Sequence, residues 1–400
     1  MLVLCCSVGC QPSTDGSKLP PRQLVAQKAC DAIASRVDLY PSASALFLKS
    51  YDADDQGNQD PSLETAAFSY DNALAVIALI ACDKLPQAQR VGEALRRAAM
   101  SDTRLRKAYR AGVVKDGVLP NGWWDKAESR WVEDPHQIGT PTGDVAWVGL
   151  ALMALDKATG EPRWREAAVH LAQWIEHNAA GKNGSAGFTG GVDGFDADPK
   201  KLDWKSTEHN IDVSALFNWM ADKATSGPWK QRAEDAWRFV DTQWDAKTGH
   251  FFVGTMPDGA ENIDTSGLDA QLWPLLLPDA PPEWRRAISY VEQNHGVAGG
   301  FDFNTDRDGL WLEGTAQAAL VYEVLGRDSE ANKLFMTIAK QFSASGYLYA
   351  TREARISTGL ALGPESKSAD FYYYRRPHLG ATAWAVLAAL KWNPFRAHGK

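Results

Sequence analysis

The chain has 400 residues, 44% of them hydrophobic and 23% charged, which is enough apolar material to bury a large core in a soluble globular protein. A formal net charge of −8, with no basic run interleaved with aromatics, argues against nucleic acid as a partner. The 16 tryptophans fit either a packed core or sugar-stacking surfaces, and composition does not separate the two.

The first ten residues, Met1 to Cys10, form a short apolar run followed by polar Gln11-Pro12-Ser13-Thr14-Asp15, and the run is too short to span a bilayer. Ser7-Val8-Gly9-Cys10 resembles a bacterial lipobox, in which the Cys is lipidated after cleavage. It departs from the pattern in lacking a preceding Lys or Arg and in carrying Ser7 where Leu is usual. Residues 1–20 therefore read as an export signal and tether with Cys10 as the lipidation site, against the plainer reading of a frayed hydrophobic terminus. The expectation is an exported monomer, a periplasmic or outer-membrane lipoprotein touching a membrane only through that anchor. The five cysteines show no CxxC and no Cys/His metal spacing, so neither metal nor cofactor is expected. Cys30 and Cys82 fall on helical stretches and read as buried thiols, the alternative being a disulfide between them.

From residue 21 onward two kinds of helix alternate. One kind is amphipathic, over roughly 22–36, 86–101, 163–177, 228–243, 283–294 and 329–343. Val91, Ala94, Leu95 and Ala98, for example, make an apolar stripe between Glu93, Arg96 and Arg97. The other kind is apolar nearly all round, over 69–81, 144–155, 211–223, 268–276, 313–325 and 378–391, and such a helix is buried on all sides. Connections from an inner helix to the next outer one are short, as in Asp83-Lys84-Leu85 and Gly326-Arg327-Asp328. Those from outer to inner are long: about 102–141, 178–207, 244–266, 295–312 and 344–377. Long loops in a compact domain usually carry function, and here they all fall on the face where the inner helices begin. The pattern predicts an all-α fold, an (α/α)6 toroid of six helical hairpins, as one catalytic domain over 21–400.

Several blocks at the inner-helix starts are distinctive. They are Tyr70-Asp71-Asn72-Ala73-Leu74, Thr142-Gly143-Asp144-Val145-Ala146-Trp147, Thr207-Glu208-His209-Asn210-Ile211-Asp212, Leu268-Asp269-Ala270-Gln271-Leu272-Trp273, Glu313-Gly314-Thr315-Ala316-Gln317 and His378-Leu379-Gly380-Ala381, with Asn393-Pro394-Phe395 after them. Across residues about 65–395 they resemble the signature blocks of a bacterial group in the six-hairpin glycosidase superfamily. That resemblance implies the toroid strongly and the reaction less so.

Glycoside hydrolysis needs one protonated carboxyl to donate to the leaving oxygen and one ionised carboxyl to activate water or attack. Asp71, Asp144, Glu208, Asp212, Asp269 and Glu313 are the candidates. First-turn acids are also ordinary helix caps and dipole partners. On buried helices sharing one orientation, however, they would meet in a common hollow. Glu208, following the glycine-rich stretch from Gly181 to Gly194, is read as the general acid. Asp144 is read as the base, with Asp71 as substitute, and His209 as tuning Glu208 or holding a sugar hydroxyl. Asp212, one turn further on, could instead bind Asn210 or a nearby N–H. Asp269, Glu313 and His378 complete the expected substrate-binding rim, with Trp123, Trp124, Trp131 and Trp204 as sugar platforms; Trp311, two residues before Glu313, reads as a stacking ring or, as a lone Trp more often is, as core. Phe371-Tyr372-Tyr373-Tyr374-Arg375-Arg376 reads either as an anionic-sugar subsite, with Tyr373 and Arg376 in contact, or as a loop packed on the rim. Asn304-Thr305-Asp306-Arg307-Asp308-Gly309 resembles the opening of a calcium loop, but Thr315 stands where the twelfth-position acid belongs, so a solvated Asp-Gly turn is expected.

The expected function is hydrolysis, with inversion, of an extracellular or periplasmic poly- or oligosaccharide. The alternatives are a polysaccharide lyase using a Tyr or His base on a uronic-acid glycan, a non-catalytic glycan-binding lipoprotein, and an epimerase using His209 and His378.

Overall fold

The inner helices form because their sequences are apolar on every side and end where Gly, Pro or polar turns interrupt them. In the computed structural model, which describes residues 19–397 apart from 182–185, 224, 364–365 and 367, Leu379–Ala389 is buried at every position. Ser69–Ala81 is buried from Ser69 to Leu79 except at Tyr70. Thr142–Thr159 stops at Gly160, whose φ of 71° is left-handed backbone that glycine adopts without strain. The fourth inner helix is shorter than its apolar stretch predicts. It is α-helical only over Leu268–Leu272 and tightens into a 3-10 turn over Trp273–Leu276, where Pro274 has no N–H to continue the α pattern.

The inner helices form a closed ring. Ser69–Ala81 packs on Thr142–Thr159, which packs on Thr207–Asp222, then Leu268–Leu272, Leu312–Val324 and Leu379–Ala389, and the last returns to Ser69–Ala81. Outside stand Leu85–Ser101, Pro162–Ala179, Trp229–Thr242, Arg286–Asn294 and Asp328–Ile338, each against the inner helix before it. Pro21–Asp38, first in the chain, covers the last inner helix, and the Arg22 Nε donates to the carbonyl of Ala389 at 2.8 Å. The six-hairpin toroid expected from the helix pattern is thus the observed fold.

Cys30 and Cys82 are not free thiols. They form a disulfide, with Cα atoms 5.8 Å apart, that ties this outer helix to the end of the first inner one. Both are half-buried. The long loops also hold short antiparallel ribbons that the sequence pattern did not announce, including Trp123–Asp125 with Arg130–Val132 and Arg355–Ser357 with Tyr372–Tyr374. No helix among the described residues is long and apolar enough to cross a membrane. The lipobox and Cys10 lie outside the described residues.

The axis of the ring is filled by aromatic rings. Trp147, Trp273 and Trp384, from three inner helices, lie 5.6–5.8 Å apart centre to centre, with Phe395 5.4 Å from Trp147. This plug makes the toroid a cup with a floor. Much of the tryptophan bias seen in composition is therefore core.

Candidate active site

All six polar helix starts converge at the open end of the cup. Asp71, Asp144, Glu208, Asp269 and Glu313 occupy first turns, and His378 is the N-cap of the last inner helix. Two sub-clusters can be distinguished.

The first is buried and joined to the floor. The Tyr70 hydroxyl accepts the indole N–H of Trp384 at 2.8 Å and donates to Glu313 Oε1 at 2.7 Å. His378 Nδ1 accepts the Ala381 N–H at 3.3 Å, and its Nε2 lies 3.3 Å from Asp71 Oδ2. Glu313 Oε2 is 3.6 Å from the same imidazole, and Tyr51 stacks flat on it at 4.3 Å. Burial opposes charge on His378, but Asp71 and Glu313 outweigh it and raise its pKa. Burial carries Glu313 up to about 7, with Asp71 and Asp269 adding against His378 and Tyr70. The cluster is tight enough to require glycine at 380. A Cβ there would lie 2.6 Å from Asp71 Oδ1 and 3.0 Å from Glu313 Oε2.

The second sub-cluster faces a cavity of about 460 Å³, walled by Glu208, His209, Asp269, Lys107, His136, Asp193 and Trp204, with Phe303, Phe371 and Leu360 among its apolar lining. Ser206 caps the Glu208 helix by accepting the His209 N–H at 3.2 Å, which fixes the first turn. Burial holds the proton on Glu208, and Asp269, Asp144 and Glu313 reinforce this, so its pKa stands well above the ordinary carboxylate range. Asp144 lies behind this lining rather than in it, with Oδ2 buried and without a hydrogen bond. Burial pushes it up to about 7, while Lys107 draws it back down and Asp71 raises it. Asp269 rises to about 6 through burial, opposed by the Ala270 N–H and its own. His209 falls to about 4 through burial and the nearby Lys107 charge, so its ring is neutral at pH 7, with Nδ1 buried and unpaired.

Lys107, His136 and Asp193 carry no signal in the sequence, because Lys107 lies outside any regular element and His136 and Asp193 lie in elements of four and three residues, too short to show a period. The structure places Lys107 Nζ 2.5 Å from His136 Nε2, and His136 Nδ1 3.3 Å from Asp193 Oδ1. Tyr51 reaches His378 only through folding, and Tyr70, although it directly precedes Asp71, shows its bonds to Glu313 and Trp384 only in the fold.

Other expected residues land differently. Asp212 does not bind Asn210 or a backbone N–H. Asn210 spends its side chain on Phe188 and Ser206 backbone, while both Asp212 oxygens are buried without a hydrogen bond. Burial, then Glu208, Asp269 and Asp144, hold the Asp212 pKa well above its ordinary value. Trp311 is 1% exposed, with Tyr373 stacked on it at 5.5 Å, so it backs the wall and cannot offer a face to a sugar. Trp123 and Trp124 belong to an outlying ribbon and do not line the cavity, though Trp124 is exposed; Trp204 does line it. Arg376 acts electrostatically on Tyr51 and Lys49, on the Asp71 side of the rim. Of the Gly181–Gly194 stretch, residues 182–185 lie outside the described residues; Gly190 packs on Trp204.

Outside the cup, Asp302, Asp306 and Asp308 bring carboxylate oxygens within 4.8 Å of one another. Asp302 accepts the N–H groups of Phe303 and Gly309, and Asp306 and Asp308 accept those of Asp308 and Ser357, as an Asp-Gly turn requires.

No family model matches the chain, and no curated protein matches it. Solved structures do. A wild-type glycosidase is 14% identical with a TM-score of 0.60, over 94% of this chain and 99% of that one. A sugar epimerase from a ruminal bacterium is 11% identical with a TM-score of 0.62, over 92% and 98%. A cellobiose 2-epimerase from Bacillus thermoamylovorans is 12% identical with a TM-score of 0.61, over 92% and 99%. At these identities the likeness is one of fold.

Proposed function

We propose that this protein is a glycoside hydrolase in which Glu208 is the general acid and Asp144 the general base. The observation that carries the reading is a cavity-lining carboxyl, Glu208, kept protonated by burial and neighbouring acids, with a second carboxyl, Asp144, on the adjacent inner helix beside a cation. Glu208 gives its proton to the glycosidic oxygen as the bond from that oxygen to the anomeric carbon breaks. Asp144 takes a proton from water as the water oxygen bonds to the anomeric carbon from the opposite face. The product is inverted, and water between the carboxyls needs a separation of about 6.5–9.5 Å. The fold shared with a glycosidase supports the same reading.

The test is a glycan panel with product mass analysis, followed by NMR of the first-formed anomer. Glu208→Gln is expected to lose roughly 10²–10⁴-fold in kcat. Unchanged turnover in Glu208→Gln, Asp144→Asn and Asp71→Asn would refute the assignment.

One observation favours a second reading, an epimerase. His209 is neutral, lies on the cavity wall beside Glu208, and could remove a proton next to a sugar carbonyl. The fold shared with two epimerases supports it, whereas His378, locked between Asp71, Glu313 and Tyr51, is poorly placed to shuttle protons. Unchanged product mass with deuterium uptake from D2O would select this reading over hydrolysis.

A lyase is disfavoured. Burial, then Glu313, Tyr51, Asp269 and Glu208, push the Tyr373 hydroxyl well above 10, so it is a poor base. Absorbance from an unsaturated product would reinstate it. Glycan binding without turnover would instead point to a non-catalytic binder.

We also propose export, supported by the N-terminal apolar run and by a disulfide of the kind oxidising compartments preserve. Recovery of the chain in the cytoplasm with Cys30 and Cys82 reduced would overturn it.

A further inference from the structure

Hydrolysis by two carboxyls requires the protein to decide which one is ionised. Burial raises both candidates, and neighbouring acids raise them further, Asp269, Asp144 and Glu313 acting on Glu208 and Asp71 on Asp144, so a division of labour calls for something outside the acid ring.

Lys107 is the cation in position to provide it. Its carbonyl accepts the N–H of Ser69, the residue that opens the Asp71 helix, at 2.8 Å. Its own N–H donates to the carbonyl of Gly139, just before the Asp144 helix, at 2.7 Å. The backbone of Lys107 is therefore pinned between two inner-helix starts. Its side chain is pinned as well: Nζ donates to His136 Nε2 at 2.5 Å, and His136 Nδ1–H points to Asp193 at 3.3 Å. Asp193 is placed by strand pairing of Gly191–Asp193 with Thr140–Pro141, the segment entering the Asp144 helix. Lys107, His136 and Asp193 all line the same cavity as Glu208.

We propose that Lys107, oriented by the His136–Asp193 pair, is the positioning residue that makes Asp144 the base and leaves the proton on Glu208. The inference rests on the hydrolase reading for its meaning and on the geometry above for its mechanism. Burial lowers the Lys107 pKa, and Asp144, Asp134, Asp193 and Glu208 oppose that loss of charge. The hydrogen bond to His136 leaves the ammonium two further donors. The charged and titratable groups facing it are Asp144, Asp134, Asp193, Glu208 and His136, and it also bears on His209. Asp144 feels Lys107 and Asp71. Glu208 feels Asp269, Asp144 and Glu313 before Lys107, so the cation acts more strongly on Asp144 than on Glu208.

The experiment compares wild type, Lys107→Met, Lys107→Arg and His136→Phe, using the oligosaccharide the wild type cleaves in the panel. Folding is checked by circular dichroism. The readout is kcat/KM from pH 4 to 9. Loss of the charge in Lys107→Met is expected to move the acidic limb up by about one pH unit or more. Activity should then fall about tenfold at pH values below the limb and little above it. Lys107→Arg should keep the wild-type limb, and His136→Phe should shift it in the same direction but less. An unmoved limb with an even loss at every pH would mean a merely structural residue and overturn the proposal. 13C NMR titration of the Asp144 carboxyl, assigned with Asp144→Asn, reads the same shift without turnover. An unmoved titration in Lys107→Met, or in His136→Phe should the first variant not fold, also overturns it. A shifted titration in a protein that cleaves no glycan would sink the hydrolase reading alone.

Discussion

Glu208 and Asp144 occupy first turns of adjacent inner helices yet differ in their surroundings. Asp269, Asp144 and Glu313 outweigh Lys107 at Glu208, whereas at Asp144 the Lys107 ammonium outweighs Asp71. Chemical identity is nearly the same; neighbours decide the role. With Asp144 at about 7, kcat/KM is expected to rise through about pH 7 as the base ionises. A limb near pH 4 in a pH–rate profile would exclude Asp144 as base. The aromatics make a parallel contrast. Trp204→Ala should raise KM by removing a cavity wall, with kcat and melting temperature little changed. Trp311→Ala should instead cost about 3–5 kcal/mol of stability in denaturant unfolding, because the ring is packed under Tyr373.

Among the elements, the inner helices were legible because being apolar all round is a strong signal for burial, and their acid starts could then only point into a shared hollow. The acids on the cup were readable for that reason. Their partners were not. Lys107 and His136 are 29 residues apart, His136 on a single helical turn over Pro135–Ile138, and the ribbons nearby are two or three residues long, too short for period-two alternation to register. Trp311 illustrates the opposite difficulty: a tryptophan two residues before an acid looks the same in sequence whether it stacks on a ligand or is core, and here it is core under Tyr373. At the helix starts, glycine is a steric requirement. In Gly143→Ala the new methyl would lie 2.5 Å from the His209 ring, and in Gly380→Ala 2.6 Å from Asp71 Oδ1. Both variants should lower activity and melting temperature together, and retention of both properties would mean that the first turns are more pliant than their packing suggests.

Taken whole, the molecule stores protons. Asp144, Asp302 and Glu313 at about 7 and Asp269 at about 6 hold protons in the folded state that the unfolded chain releases near pH 4. Folded pKa values above unfolded ones mean stability that is full at low pH and lost as pH rises from about 4 through 7. His209 and His295, lowered to about 4, act oppositely between 4 and 6.5 and contribute no further change above that. The melting temperature should therefore fall between pH 6.5 and 8, and a rise over that interval would contradict the acid cup. Separately, Cys30→Ser should cost about 2–4 kcal/mol in denaturant unfolding under oxidising conditions, since the bridge closes a 52-residue separation.

Ring closure has a consequence for synthesis. The Ser69–Ala81 helix touches the Leu379–Ala389 helix, and Arg22 reaches the carbonyl of Ala389, so spatial neighbours leave the ribosome at opposite ends of translation. A nascent chain paused before residue 378 has an open seam where His378 should stand between Asp71 and Glu313, and its tryptophan plug lacks Trp384. Whatever chemistry the cup performs, it switches on only when the last inner helix arrives.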